Sequence, residues 1–124
     1  MARILLVDDD QRIRSVLNRT LTEAGHTVIE ASDGKLALKA LRQFSVMDLV
    51  ITDLFMPEKD GFETILELGR DYSHLSIIAI SGHLRINIDS FLLTAMHLGA
   101  KKTLKKPFSK QDLIDAVDQV LRVF

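Results

Sequence analysis

Five short runs along the chain read as strands: RILLVD (3–8), TVIEA (27–31), DLVITD (48–53), LSIIAIS (75–81) and KTLKK (102–106). The first, third and fourth are apolar on both faces, as expected of a parallel sheet covered by helices on each side. TVIEA carries a charge and suits a peripheral strand. Between the runs, apolar residues recur at helical spacing. Ile13, Val16, Leu17, Leu21 and Ala24 form the first such stripe, closed by Gly25 as a C-cap. Leu36, Ala37, Ala40, Leu41 and Phe44 form the second, and Phe62, Ile65, Leu66 and Leu68 the third. Phe91, Leu92, Ala95, Met96 and Leu98 form the fourth, closed by Gly99. Leu113, Ile114, Ala116, Val117, Val120 and Leu121 form the fifth, opened by a Ser109–Asp112 capping box. Strict alternation of strand and helix predicts an α/β, doubly wound three-layer sandwich of βαβ units with right-handed crossovers.

The length of 124 residues suits one domain, and no linker, repeat or low-complexity stretch interrupts the pattern. A single domain over residues 1–124 is the expectation. With 47% hydrophobic and 27% charged residues the chain can bury a core. The net charge of −1 exerts no broad pull toward nucleic acid or anionic membranes. The absence of cysteine excludes disulfides, thiolate metal sites and cysteine nucleophiles. No apolar run approaches the ~20 residues of a membrane span, and the run in MARILLVDD is too short for a signal peptide. A cytoplasmic protein is expected.

Open parallel sheets bind ligands beyond the carboxyl ends of their strands. There the first run ends in Asp8, Asp9 and Asp10, the third in Asp53, the fourth in Ser81-Gly82 and the fifth in Lys105-Lys106-Pro107. Asp10 reads as a helix N-cap rather than a ligand. Lys105, out of phase with Lys106, reads as solvent-facing. The other acids would crowd one cleft, and neighbouring carboxylates raise one another's proton affinity. A hard divalent cation such as Mg2+ resolves that conflict through oxygen ligands. An aspartate beside it can act as nucleophile toward a phosphoryl group, and a lysine and a hydroxyl can neutralise the transferred oxygens. No two histidines have zinc-ligand spacing on one helix. The Lys101, Lys102, Lys105, Lys106, Lys110 group reads as a solvated edge with one functional lysine. The methionines read as core filling.

Asp8-Asp9, Asp53 in DLFMPEKDG, Ser81-Gly82, Gly99-Ala100 and Lys106-Pro107-Phe108 together resemble the receiver domain of two-component response regulators, over essentially the whole chain. The resemblance implies a flavodoxin-like strand order 2-1-3-4-5. It implies that Asp53 is the phosphoacceptor, and that a sensor histidine kinase or a histidine phosphotransfer protein is the donor. Asp8, Asp9, Asp53 and the backbone carbonyl of Phe55 would hold Mg2+. Lys106 would pair with the phosphoryl oxygens, and Ser81 would move to hydrogen-bond them. The Lys106-Pro107 bond would be cis. The chain would catalyse only its own phosphorylation and dephosphorylation. Its output would pass to a downstream protein, or to an output domain absent from this chain, without direct nucleic-acid or membrane contact. The face of the fourth helix, fifth strand and fifth helix would switch, with Phe91, Phe108 and Val123 as exposed apolar contacts.

The chain departs from the family pattern at three places. Thr103 stands where an aromatic is usual, and the segment from Ser81 to Gly99 is longer than common. In similar receiver domains the positions held here by Phe55 and His83 flank the entrance and tune hydrolysis, so the resemblance implies that role for them. Competing readings fare worse. A flavin module needs a Ser/Thr/Gly-rich loop where this chain has three acids. An aspartate-nucleophile phosphatase needs Thr or Val where Arg12 stands, and a cap domain. A degenerate receiver, acting as a phosphorylation-independent interaction module, is the remaining alternative.

Overall fold

Extended apolar runs cannot hydrogen-bond internally, so they pair laterally, and helices cover the two apolar faces that result. The computed structural model describes residues 2–44, 46–54, 61–82 and 88–122. Its strands are β1 (Arg3–Val7), β2 (Thr27–Ala31), β3 (Leu49–Asp53), β4 (Ser76–Ser81) and β5 (Lys102–Lys105). Its helices are α1 (Gln11–Glu23), α2 (Gly34–Gln43), α3 (Gly61–Asp71), α4 (Ile88–Leu98) and α5 (Lys110–Leu121). The strands form one parallel sheet in the order β2-β1-β3-β4-β5. This is the α/β doubly wound sandwich that the alternation predicted. β2 and β5 are the edges, and the charged TVIEA strand is indeed peripheral.

Side chains alternate across a strand, so each central strand feeds two cores. Leu5, Val7, Val50, Ile77 and Ala79 face α2, α3 and α4. Ile4, Leu6, Leu49, Ile51, Ile78 and Ile80 face α1 and α5. The register sets Val7 beside Thr52 and Asp53 beside Ile80, so the strands end nearly level at one sheet edge.

Local chemistry fixes the helix ends. The Asp10 carboxylate accepts from the backbone N–H of Arg12 and Ile13, the expected N-cap. Ser109 and Asp112 form the expected capping box. Gly25 (φ 99°) and Gly99 (φ 129°) adopt the left-handed conformation that ends α1 and α4. The Lys106-Pro107 peptide is cis.

Several expectations from periodicity need correction. Val16, Leu36 and Leu66 are 57%, 44% and 56% exposed, because each apolar stripe is wider than the strip of sheet its helix covers. Met96 is 43% exposed rather than core filling, whereas Met47 is buried. Ala24 caps α1 and is exposed instead of continuing its stripe, whereas Phe44, which caps α2, packs half-buried against the core as its stripe predicts. Phe91 and Phe108 are half-buried against the cores, with Phe91 tilted on Phe62 at a ring separation of 6.1 Å. The exposed apolar side chains described on α4 are Leu93 and Met96. Val123 lies outside the described residues.

Candidate functional site

Alternation places the reactive ends. Asp8 extends the Ile4-Leu6 row and Asp53 the Leu49-Ile51 row, while Ser81 extends the Ile77-Ala79 row on the opposite face. Asp8, Asp9 and Asp53 each direct a carboxylate oxygen to within 4.8 Å of the others. Asp8 and Asp53 are buried and Asp9 is exposed. Lys106, from the end of β5, sets its Nζ 3.1 Å from Asp8 Oδ2 and 3.8 Å from Asp53 Oδ2. The Lys106 N–H donates to the Ser81 carbonyl at 2.7 Å, which ties the lysine's backbone to β4. The expected acids and the lysine therefore meet in one notch. Lys105 is exposed, as expected.

Ser81 is fully buried, and its Oγ has no hydrogen-bond partner among the described residues. A buried hydroxyl without a partner is destabilising, so one held at a reactive edge is suited to a group that arrives later. Phe55 and His83, assigned to the metal ligands and to the entrance, lie outside the described residues. The described residues on either side, Leu54 and Gly61, are anchored. The Leu54 N–H donates to the Ile80 carbonyl at 3.0 Å, and the Gly61 N–H donates to the Leu54 carbonyl at 2.9 Å.

Four anchors hold Asp8. Its N–H donates to the Ala31 carbonyl at 3.2 Å, and its Oδ1 accepts from the Asp10 N–H at 2.9 Å. Its Oδ2 accepts from Lys106, and its backbone carbonyl accepts from Arg14 Nη1 at 2.6 Å. Arg14 was not singled out by sequence, because a polar side chain in the first turns of an amphipathic helix looks like solvated surface. Gly61 carries no sequence signal of its role. Its α-carbon lies so near the Asp53 carbonyl that any β-carbon would overlap it.

The fold and this notch have known counterparts. The model of the response regulator receiver domain family matches residues 4–118. The chain belongs to this family. It is 38% identical over 122 residues to the transcriptional regulatory protein CpxR of Klebsiella pneumoniae, covering 98% of this chain and 50% of that protein. It is 35% identical over 120 residues to a probable transcriptional regulator, ycf27, of Guillardia theta, covering 97% of this chain and 45% of that one. The chain thus spans about half the length of the curated relatives it matches. Among solved structures, a response regulator receiver domain protein from Clostridium thermocellum superposes with a TM-score of 0.88 at 31% identity, covering 98% of this chain and 94% of that one. The chemotaxis response regulator CheY4 of Vibrio cholerae superposes with a TM-score of 0.87 at 30% identity, covering 98% and 99%. This receiver domain therefore carries the family's fold and an oxygen-donor acid cluster compatible with Mg2+. No helix among the described residues is long and apolar enough to cross a membrane.

Proposed function

We propose that this receiver domain, residues 1–124, accepts a phosphoryl group on Asp53 in a Mg2+-dependent reaction and thereby switches a partner-binding face. The meeting of Asp8, Asp9 and Asp53 oxygens within 4.8 Å, with Lys106 beside them, carries the reading. The three side-chain donors are all carboxylate oxygens, which suits a hard cation that keeps several waters. Asp8, Asp9 and Asp53 would hold it, with the Phe55 carbonyl as a further donor. Bound there, Mg2+ supplies charge neutralisation for the equatorial phosphoryl oxygens.

The chain's own residues do the rest. Asp53, fixed at the tip of a buried strand, presents one carboxylate oxygen to phosphorus. The O–P bond forms as the P–N bond of a donor phosphohistidine breaks, and the imidazole nitrogen keeps the electron pair. Sensor histidine kinases and histidine phosphotransfer proteins present such a donor. Lys106 then transfers its pairing from Asp8 to the phosphoryl oxygens, whose charge of about −2 outweighs a single carboxylate. Ser81 supplies a hydroxyl that has no competing partner to leave among the described residues. Its movement biases the α4-β5-α5 face between two states. Thr103 is half-buried opposite Ala79 on β5, so coupling on this face runs through Ser81 rather than an aromatic. The chain's own hydrolysis of the acyl phosphate ends the signal. The setting is cytoplasmic, and output passes to a downstream protein or an attached output domain. The longer relatives named as transcriptional regulators support this.

The intact acid cluster, lysine and hydroxyl give no support to a degenerate receiver. Beryllofluoride, a phosphoryl mimic, tests the reading with Mg2+ present. Wild type should bind it, and Asp53→Asn should fold yet bind none. Undiminished binding in that variant would assign the acceptor elsewhere.

A further inference from the structure

One ionic network beside the notch is unused by this mechanism. Arg14 on α1 spends its Nη1 on the Asp8 backbone carbonyl at 2.6 Å and its Nε on Glu30 Oε1 at 2.9 Å. The other Glu30 oxygen accepts from Asn18 Nδ2, one turn further along α1, at 2.7 Å. The guanidinium is therefore held on one side by β2, and its outer fork pins the backbone at residue 8. The Arg14 side chain is only 15% exposed. A planar, permanently charged fork suits this task, because one group can serve a carboxylate and a carbonyl at fixed geometry. The network also accounts for Glu30, the one charge in an otherwise neutral strand.

We propose that Arg14 is a positioning residue for the cation-binding loop. By fixing the Asp8 carbonyl, it sets the Asp8 and Asp9 carboxylates at the separation a small octahedral cation demands. The proposal rests on reading Asp8, Asp9 and Asp53 as the Mg2+ site. A cation held there competes with Lys106 for the Asp8 carboxylate, so the lysine anchor of Asp8 weakens. The Arg14 anchor is on the backbone and remains. Groups behind metal ligands commonly change affinity by ten- to a hundredfold when removed.

The sign of the effect separates positioning from charge. Arg14 is a cation close to a cation site, so on Coulomb grounds alone its removal should tighten Mg2+ binding. Positioning requires the opposite. Ion selectivity gives a second handle, since Mg2+ demands near-ideal octahedral geometry while Ca2+ accepts six to eight flexible ligands. A loosened loop should lose Mg2+ more than Ca2+.

The experiment is a calorimetric titration of the intact chain with Mg2+ and with Ca2+, for wild type, Arg14→Met and Arg14→Lys. Glu30 is 35% exposed and borders an open cleft of about 420 Å3, so it can hydrate when Arg14 is lost, and the fold should survive. Arg14→Met should weaken Mg2+ about tenfold and Ca2+ by a smaller factor. Arg14→Lys should recover part of the loss. Should Arg14→Met fail to fold, Arg14→Lys alone decides: it keeps the charge but not the fork, and should still weaken Mg2+ a few-fold. Mg2+ binding that is unchanged or tighter in the folded variants would overturn the positioning role. A wild-type chain that binds no Mg2+, or an Asp8→Asn variant that binds it undiminished, would instead overturn the site reading beneath it.

Discussion

Lys106 donates to Asp8 Oδ2 at 3.1 Å, joining the end of β5 to the end of β1 across 98 positions of sequence. Its distance to Asp53 Oδ2 is longer, 3.8 Å. In this arrangement the lysine competes with a cation for the Asp8 carboxylate. Lys106→Met should therefore tighten Mg2+ binding several-fold, by removing the competing ammonium. The same change should weaken beryllofluoride binding, because the mimic loses a cationic partner. Titration of each ligand into both proteins checks the opposed signs. Parallel losses would show that Lys106 organises the notch rather than competing in it.

The orphaned Ser81 hydroxyl predicts a split between stability and response. A buried polar group without a partner costs about 1–3 kcal/mol relative to an apolar replacement of similar shape. Ser81→Ala should leave resting stability equal or raise it by up to ~1 kcal/mol. It should also reduce the additional stabilisation that beryllofluoride gives to wild type. Urea denaturation with and without the mimic reads both quantities. A substantially destabilised resting variant would mean that the hydroxyl is already engaged.

Carboxylate crowding makes a cation stabilising. At a hundredfold excess over its dissociation constant, Mg2+ should add about 2.7 kcal/mol to unfolding. Asp9 is exposed, and removing its charge also removes repulsion from its neighbours. Asp9→Asn should thus be at least as stable as wild type without Mg2+, yet gain far less on its addition. Thermal melts across a Mg2+ series would show it. A wild-type melting temperature indifferent to millimolar Mg2+ would contradict the cluster's assignment.

Periodicity revealed the sheet, the helices and the level at which Asp8, Asp53, Ser81 and Lys106 emerge, because each reports through its own spacing. It could not reveal how wide a stripe each helix buries. Val16, Leu36 and Leu66 look like core residues in sequence, yet the underlying strip of sheet is too narrow to cover them. Nor could it reveal Arg14. The contact that matters runs from the guanidinium to a backbone carbonyl, and a carbonyl has no residue type. Gly61 hid for a related reason, since its role depends on a backbone approaching from another element.

That approach supports the sharpest mutational contrast in the molecule. Gly61 opens α3 directly against the strand end, and its N–H donates to the Leu54 carbonyl at 2.9 Å. A β-carbon there would overlap the Asp53 carbonyl oxygen and stand 2.6 Å from the Leu54 α-carbon. Every atom it meets is backbone, so no rotamer change can relieve the clash, and the helix or the strand must shift. Gly61→Ala should cost about 1–3 kcal/mol, as overpacking in a dense interior does. The displaced Asp53 should also bind beryllofluoride more weakly. Gly69 lies in the same helix, and a β-carbon there meets only the Leu98 carbonyl oxygen, at an ordinary 3.7 Å. Gly69→Ala should therefore stabilise by roughly 0.5–1 kcal/mol, because alanine is the better helix former. The same substitution, eight residues apart on one helix, should move the urea midpoint in opposite directions. Two shifts of the same sign would show that the packing of α3 against Asp53 does not control this strand end.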